Sequence, residues 1–261
     1  MLSRLCGRSF SQFSRATWPV NILLLLLFAE VSASPGHSNV VCREELSPAR
    51  REQLASKLRK ITGLPALRFD EDGLLREGSK QPIGGSISAR GLIANSIQGR
   101  NLVVIEDASN RSDVAFCRVI PGRWKKNVAG NPPVFVVQID FVDFDQVVGD
   151  GQALEAFNVG WGLLHELDHT VNDSPDAMSL GETGECEAHV NQMRRECDLP
   201  ERTEYFSTLL PLTADSTFMT RFVRLAFEQQ QPATNKKKRY WIIWDANVVG
   251  GLEQNQIAAL R

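Results

Sequence analysis

His165, Glu166 and His169 fall in the run His165-Glu166-Leu167-Asp168-His169, in a chain with four histidines in all. Residues four apart share one face of a helix, so the two imidazoles can converge on one point. Zinc takes several neutral imidazoles or carboxylates at about 2 Å. A glutamate next to the first histidine can take a proton from water at the metal without binding the metal itself. The spacing therefore reads as two zinc ligands, His165 and His169, with Glu166 as general base. Leu163, Leu164 and Leu167 flank the pair. They point to a buried setting, where imidazole nitrogens need partners.

A catalytic zinc site needs a third protein ligand. The candidates lie between Glu182 and His189: Glu182, Glu185, Glu187 and His189. If this stretch is helical, Cys186, Val190, Met193 and Cys197 form its apolar stripe, and Glu187, Asn191 and Arg194 an adjoining face. Glu187 is preferred, because Asn191 one turn on is placed to steady a ligating histidine. Glu185, Glu182 and His189 stay open as alternatives. Asp168 and Asp173 are further carboxylates within reach of the ligands, Asp168 being equally suited to a solvated face.

The two segments resemble those of the thermolysin-type zinc metallopeptidases, the gluzincins. The stretch His165 to Asp173 is similar to that family's active helix, and Cys186 to Asn191 to its glutamate-ligand helix. The family's third ligand sits in a Glu-Ala pair after the second histidine; here Glu187-Ala188 begins 18 residues beyond His169. The family's supporting aspartate corresponds in position to Asn191. Its downstream histidine has no counterpart, since His37 and His189 are the remaining histidines. The resemblance covers about 30 residues and implies a zincin-like fold, a small mixed β-sheet packed on the active helix and a following ligand helix. It also implies a Zn2+ cofactor and a peptide or protein substrate. Glu166 would take a proton from water and deliver it to the leaving amine. A second donor must stabilise the oxyanion, with Tyr205, Tyr240 and Arg221 as candidates.

The elements around the motif read as α+β. Ser47 to Ile61 is an amphipathic helix, with Ser47 at its N-cap, Pro48 at the first turn and Gly63 closing it. Ser88 to Ile97 is a second, short helix. Leu102 to Glu106, Val114 to Ile120 and Pro133 to Phe144 are strand-like. Val137 to Phe144 is a candidate edge strand for pairing with an extended substrate. A long helix runs from Gly151 to Val171 behind Asp150, with Gly160 and Gly162 inside it. Glycine costs a helix about 1 kcal/mol against alanine, so close packing is expected at both. Ser174-Pro175 ends that helix, and the ligand helix runs from Gly184 to Cys197. Phe218 to Gln230 reads as helix and Gln229 to Asn235 as a polar linker. The basic run Lys236 to Arg239 leads into a strand-like segment, Tyr240 to Trp244.

Residues 1–33 read as a signal peptide. Arg4, Arg8 and Arg15 precede the apolar run Ile22 to Ala29, and Val31-Ser32-Ala33 suits cleavage. Eight apolar residues fall well short of the ~20 that span a bilayer, so stable membrane insertion after cleavage is not expected. That leaves 34–261 as a single metallohydrolase domain, secreted or periplasmic. Cleavage removes Cys6 and leaves Cys42, Cys117, Cys186 and Cys197, an even set compatible with two disulfides. Cys186 and Cys197 are too far apart along one helix to pair. A net charge of −2 advertises no nucleic-acid partner. The leading reading is a secreted zinc metallopeptidase. The alternative is a non-catalytic exported binding protein with a structural metal site, against which Glu166 argues: a structural site has no use for a base.

Overall fold

The computed structural model describes residues 38–109, 111–126, 129–211 and 219–249. The chain divides into the units Met1–Gly36 and His37–Arg261, and every described residue belongs to the second. The expected signal segment 1–33 and His37 lie outside the described residues. Among the described residues no helix is long and apolar enough to cross a membrane.

The first half of the chain alternates strand and helix. β1 (Val40–Cys42) leads to α1 (Pro48–Thr62), then β2 (Arg68–Phe69) and β3 (Leu75–Arg76). α2 (Ile87–Gln98), β4 (Leu102–Asp107), β5 (Cys117–Pro121) and β6 (Val134–Ile139) follow. α1 starts where Ser47 accepts a hydrogen bond from the Arg50 amide, and it stops at Gly63 in the left-handed conformation. β1, β4, β6 and β5 form a sheet in that order. The β1–β4 and β4–β6 pairs are parallel and β5 runs antiparallel to β6. β1 and β5 are therefore the edge strands, and Val137, expected at an edge, lies inside the sheet. The residues after Ile139 leave the strand because Asp140 accepts from the Val142 and Asp143 amides, capping α3 (Phe141–Asp145).

The second half holds the motif. β7 (Val148–Gly149) and α4 (Gly151–Ala156) precede α5 (Val159–Asn172) and α6 (Gly184–Glu196). The single helix expected over 151–171 is two helices, because extended Asn158 breaks it and caps α5 through the Gly160 amide. The Glu155 carbonyl freed by the break accepts from the Asn158 side-chain Nδ2 and the Trp161 indole, each at 2.9 Å. β8 (Glu201–Arg202), β9 (Thr208–Pro211), β10 (Met219–Gln231) and β11 (Lys236–Asp245) complete the chain. The helix expected over 218–230 is the long strand β10. Val223, Leu225 and Phe227 are buried at every second residue, the period of a strand. β10 and β11 form a hairpin within a second, antiparallel sheet that also holds β7, β8 and β9.

α5 packs on β5 and β6 and against α1, α2 and α6. Trp161, Leu163, Leu164 and Leu167 are buried in a core shared with Val103, Ile105, Val137 and Ile139 of the first sheet. Each such side chain contributes about 1.5–3 kcal/mol by leaving water, which fixes how α5 is rotated. Both glycines of the helix mark close approaches. A Cβ on Gly160 would meet Lys57 Cβ at 2.8 Å and Ile61 Cδ1 at 2.9 Å. One on Gly162 would meet Cys117 Sγ and Phe144 Cζ, each at 2.9 Å. Cys42, Cys117, Cys186 and Cys197 are all free thiols, so the two expected disulfides do not form among the described residues.

Candidate metal centre

α5 carries His165 and His169 one turn apart, their rings 4.8 Å between centroids and nearly perpendicular. The helix ends at Asp173, which takes a left-handed conformation. The chain turns there, and Ser174-Pro175 carries Asp176 back over the two imidazoles. Asp176 Oδ1 lies 3.0 Å from His165 Nε2 and 3.4 Å from His169 Nε2. Two ligands of a tetrahedral zinc at 2.0–2.1 Å are separated by about 3.3 Å. Asp176 Oδ1 therefore already sits about one tetrahedral edge from each Nε2. Cys186 Sγ joins them, and the four donor atoms lie within 4.8 Å of one another.

The turn that places Asp176 is built tightly. Asp176 bridges to Gly184 at the start of α6, and the Cys186 amide donates to the Pro175 carbonyl at 3.2 Å. Gly184 has φ +75, and a Cβ there would lie 2.3 Å from the Ala177 nitrogen. Only glycine fits the position. The interval between the two helices is thus part of the site.

The other nitrogens of the two rings are also engaged. His165 Nδ1 faces Glu187 Oε2 at 3.3 Å, and His169 Nδ1 faces the Ser174 carbonyl at 2.6 Å. Both partners are acceptors, so with a cation bound each ring would keep its proton on Nδ1 and turn its Nε2 lone pair to the metal. Carboxylates and carbonyls commonly hold metal-ligating histidines in this way. With no cation bound, both Nε2 atoms face the Asp176 carboxylate, also an acceptor, and carry protons toward it. Without a metal, burial opposes protonation of the rings, but Asp176 and Cys186 outweigh it. His169 is pushed up to about 11, and His165 lies well above its usual range. Burial likewise opposes ionisation of Asp176, yet the two histidines hold its carboxyl far below the usual range. The donor set fits zinc: two imidazoles, a carboxylate and a thiol around one point.

Glu187, preferred as third ligand, is placed differently. It is 1% exposed and accepts from Arg194, from Arg202 at 3.1 Å and from His165. Burial opposes its charge, but Arg194 and Arg202 hold its carboxyl well below the usual range. A carboxylate committed to two arginines and to the far nitrogen of His165 positions that ring. Asn191 does not touch a histidine. Its oxygen accepts from Arg194 and from the Arg202 amide, each at 2.8 Å, and its nitrogen donates to the Arg202 carbonyl. It ties α6 to β8 and keeps both arginines on Glu187. Asp173 is exposed at the helix end and shapes the turn. His189 and Asp168 are paired with each other, Nδ1 to Oδ2 at 3.0 Å, outside the donor group. Glu182 and Glu185 are also outside it.

Glu166 is buried at 4% exposure. Burial raises its pKa, and the two histidines and the Cys117 thiol pull it partly back. Glu166 and His165 line a cavity of about 350 Å³ between edge strand β5, α5 and the second sheet. Of the three candidate oxyanion donors, Tyr205 alone lines that cavity. Its ring stacks on His165, centroids 5.9 Å apart, and its hydroxyl donates to Asp176 Oδ2 at 2.9 Å. Tyr240 is buried in the core of the second sheet, and Arg221 pairs with Asp245.

Asp176 and Cys186 are the donors that sequence reasoning missed as ligands. Asp176 lies seven residues after His169. The signal available was Ser174-Pro175, which forces the chain to turn directly after the histidines. Cys186 was legible only as part of an apolar stripe. Compared with known proteins, the chain matches no family, no curated sequence and no solved structure.

Proposed function

We propose that this chain is an exported zinc-dependent peptidase, with His165, His169 and Asp176 holding the metal and Glu166 acting as general base. One observation carries the reading. Two imidazoles with their Nδ1 atoms engaged turn their Nε2 atoms onto one carboxylate oxygen, beside a buried glutamate on a cavity wall. A bound zinc supplies an acidified water and an electrophile for the scissile carbonyl. Burial makes the Glu166 carboxylate more basic, and in its ionised form it would accept a proton from water and pass it to the leaving amine. Tyr205 holds Asp176 through its single hydroxyl proton at rest, and in the reaction it would redirect that donor to the developing oxyanion.

Edge strand β5 supports a peptide as substrate. It pairs with β6 on one side, and among the described residues no strand pairs with its other edge, where an extended chain could add; Cys117 and Arg118 of β5 line the cavity. The mixed sheet, with an antiparallel edge strand beside the motif helix, supports a zincin-like architecture. Export rests on the basic and apolar pattern of residues 1–33.

Cys186 favours a second reading. A thiolate completing four donors describes a closed, structural zinc site. The two readings separate in zinc-loaded Glu166→Gln and Cys186→Ser variants offered a peptide library. A peptidase keeps zinc in both, keeps hydrolysis in Cys186→Ser, and loses about 10²–10⁴-fold in Glu166→Gln. A wild type inert on the library, with Cys186→Ser shedding zinc and unfolding, identifies the structural site.

A further inference from the structure

The basic run Lys236 to Arg239 lies on a part of the fold that the candidate metal centre does not use. It opens β11, and the β10–β11 hairpin outruns the rest of its sheet. β8 meets β10 as far as Glu228, and β7 meets β11 at Ile242 and Ile243. Beyond these, Gln229–Gln231 and Lys236–Lys238 pair only with each other among the described residues. The hairpin end is a two-stranded finger. From Met219 to Asp245 the hairpin carries six cations against two carboxylates, in a chain whose net charge is −2. Both carboxylates are engaged within the hairpin, Glu228 by Arg239 and Lys237 and Asp245 by Arg221. Lys236 and Lys238 are exposed and have no carboxylate partner among the described residues.

Strand alternation sorts the remaining side chains onto two faces. Val223, Leu225, Phe227, Tyr240, Ile242 and Trp244 are buried with Ala153 and Ala156 of α4. The other face carries Lys237, Arg239, Trp241 and Ile243 in order along β11. The Arg224 guanidinium of β10 lies 4.3 Å from the centre of the Trp241 ring, and that of Arg239 lies 5.6 Å from it. Phe222, two residues before Arg224, and Val148 of β7, opposite Ile243, extend the same face. They are 41% and 62% exposed. One side of the sheet thus runs from cations, through a tryptophan, to exposed apolar carbon.

We propose that this face and its finger adsorb on the surface of an anionic lipid bilayer. A negatively charged leaflet attracts each lysine or arginine held near it by roughly a factor of five. Lysine suits such a field, because its ammonium is a compact, hydrated point charge that needs no fixed partner. Tryptophan settles at the boundary between headgroups and acyl chains, and long basic side chains lay their stems along apolar surface with the charge in water. Phe222, Ile243 and Val148 supply the apolar area that interfacial binding adds to electrostatic attraction. A soluble polyanion would engage the cations and leave that apolar end in water. Val223, Leu225 and Trp244, which line the cavity beside Glu166, belong to the opposite face, so the proposal stands apart from the peptidase reading.

Co-sedimentation of the full chain with vesicles tests this directly, comparing pure phosphatidylcholine with phosphatidylcholine containing phosphatidylglycerol. The expected result is at least about tenfold tighter binding to the anionic vesicles, weakening as salt rises. A Lys236→Gln, Lys237→Gln, Lys238→Gln triple variant lowers that binding about 10²-fold. Phe222→Ser lowers it severalfold. All four side chains are exposed, so urea midpoints stay at the wild-type value and the variants report on binding alone. No binding, or equal binding to both kinds of vesicle, overturns the proposal; the second outcome assigns adsorption to the apolar run Ile22 to Ala29. A triple variant that binds anionic vesicles like the wild type overturns it as well. Binding that ignores Phe222→Ser and is matched by heparin replaces the bilayer with a soluble polyanion.

Discussion

Glu187→Gln distinguishes a carboxylate that binds the metal from one that positions a ligand. Glu187 touches His165 on the nitrogen facing away from Asp176, and it is buried between Arg194 and Arg202. Removing an outer partner of a ligating histidine lowers metal affinity about 10–100-fold, or about 1.4–2.8 kcal/mol. The same change leaves Arg194, 2% exposed, short of its counter-charge. Breaking a buried pair from one side costs about 3–5 kcal/mol, a large share of a typical total of about 5–15. Asp176→Asn removes the charge shared by both Nε2 atoms, so its zinc affinity falls more than that of Glu187→Gln. Its metal-free stability changes less, because Asp176 is only half-buried. Competition with a chromophoric chelator measures the affinities, and urea unfolding of the metal-free chains measures the stabilities. Asp176→Asn binding zinc like wild type, with Glu187→Gln losing it entirely, would refute the assignment and make Glu187 the ligand.

Three further outcomes follow from the packing and the electrostatics. Gly162→Ala sets a methyl 2.9 Å from Cys117 Sγ and Phe144 Cζ and lowers stability by about 1–3 kcal/mol in urea, so an unchanged midpoint contradicts the packing. Glu196 joins α6 to α2 by accepting from the Ser86 hydroxyl at 2.6 Å and the Ser88 amide at 2.9 Å. Burial works against its charge, but these bonds hold its carboxyl at about 2, from an ordinary 4.5. Its contribution is fully present above pH 4.5 and is lost as pH falls toward 2. Glu196→Gln is thus less stable near neutrality and shows a shallower decline over that window in urea midpoints measured from pH 5 to 2. Tyr205→Phe keeps zinc and lowers kcat about 10²-fold, and full activity in that variant removes Tyr205 from the reaction.

The sequence made the two histidines and Glu166 legible because their relation is local, fixed by one turn of helix. Ser47, Pro48 and Gly63 marked the first helix for the same reason. The third donor was not local. Asp176 reaches the histidines through a turn closed by Gly184 on the next helix, and no periodicity reports such a turn. Glu187 does lie beside His165, but which ring nitrogen it meets depends on how α5 and α6 pack. β10 was misread because Phe222 to Phe227 satisfies helical spacing as well as strand alternation. The pairing of Phe222 to Gln231 with β11, distant information until the hairpin forms, decides between them. The split between α4 and α5 rests on one side chain, Asn158, serving as a cap.

Zinc K-edge X-ray absorption of the zinc-loaded chain, with metal counted per protein, tests the centre most directly. The expected result is about one zinc per chain, with imidazole scattering from two histidines and a nitrogen and oxygen shell at about 2.0–2.1 Å. That spectrum is lost in a His165→Ala, His169→Ala double variant. A sulfur shell at about 2.3 Å in addition places Cys186 on the metal. Zinc retained with an unchanged spectrum in the double variant, or no zinc bound by the wild type, contradicts the account.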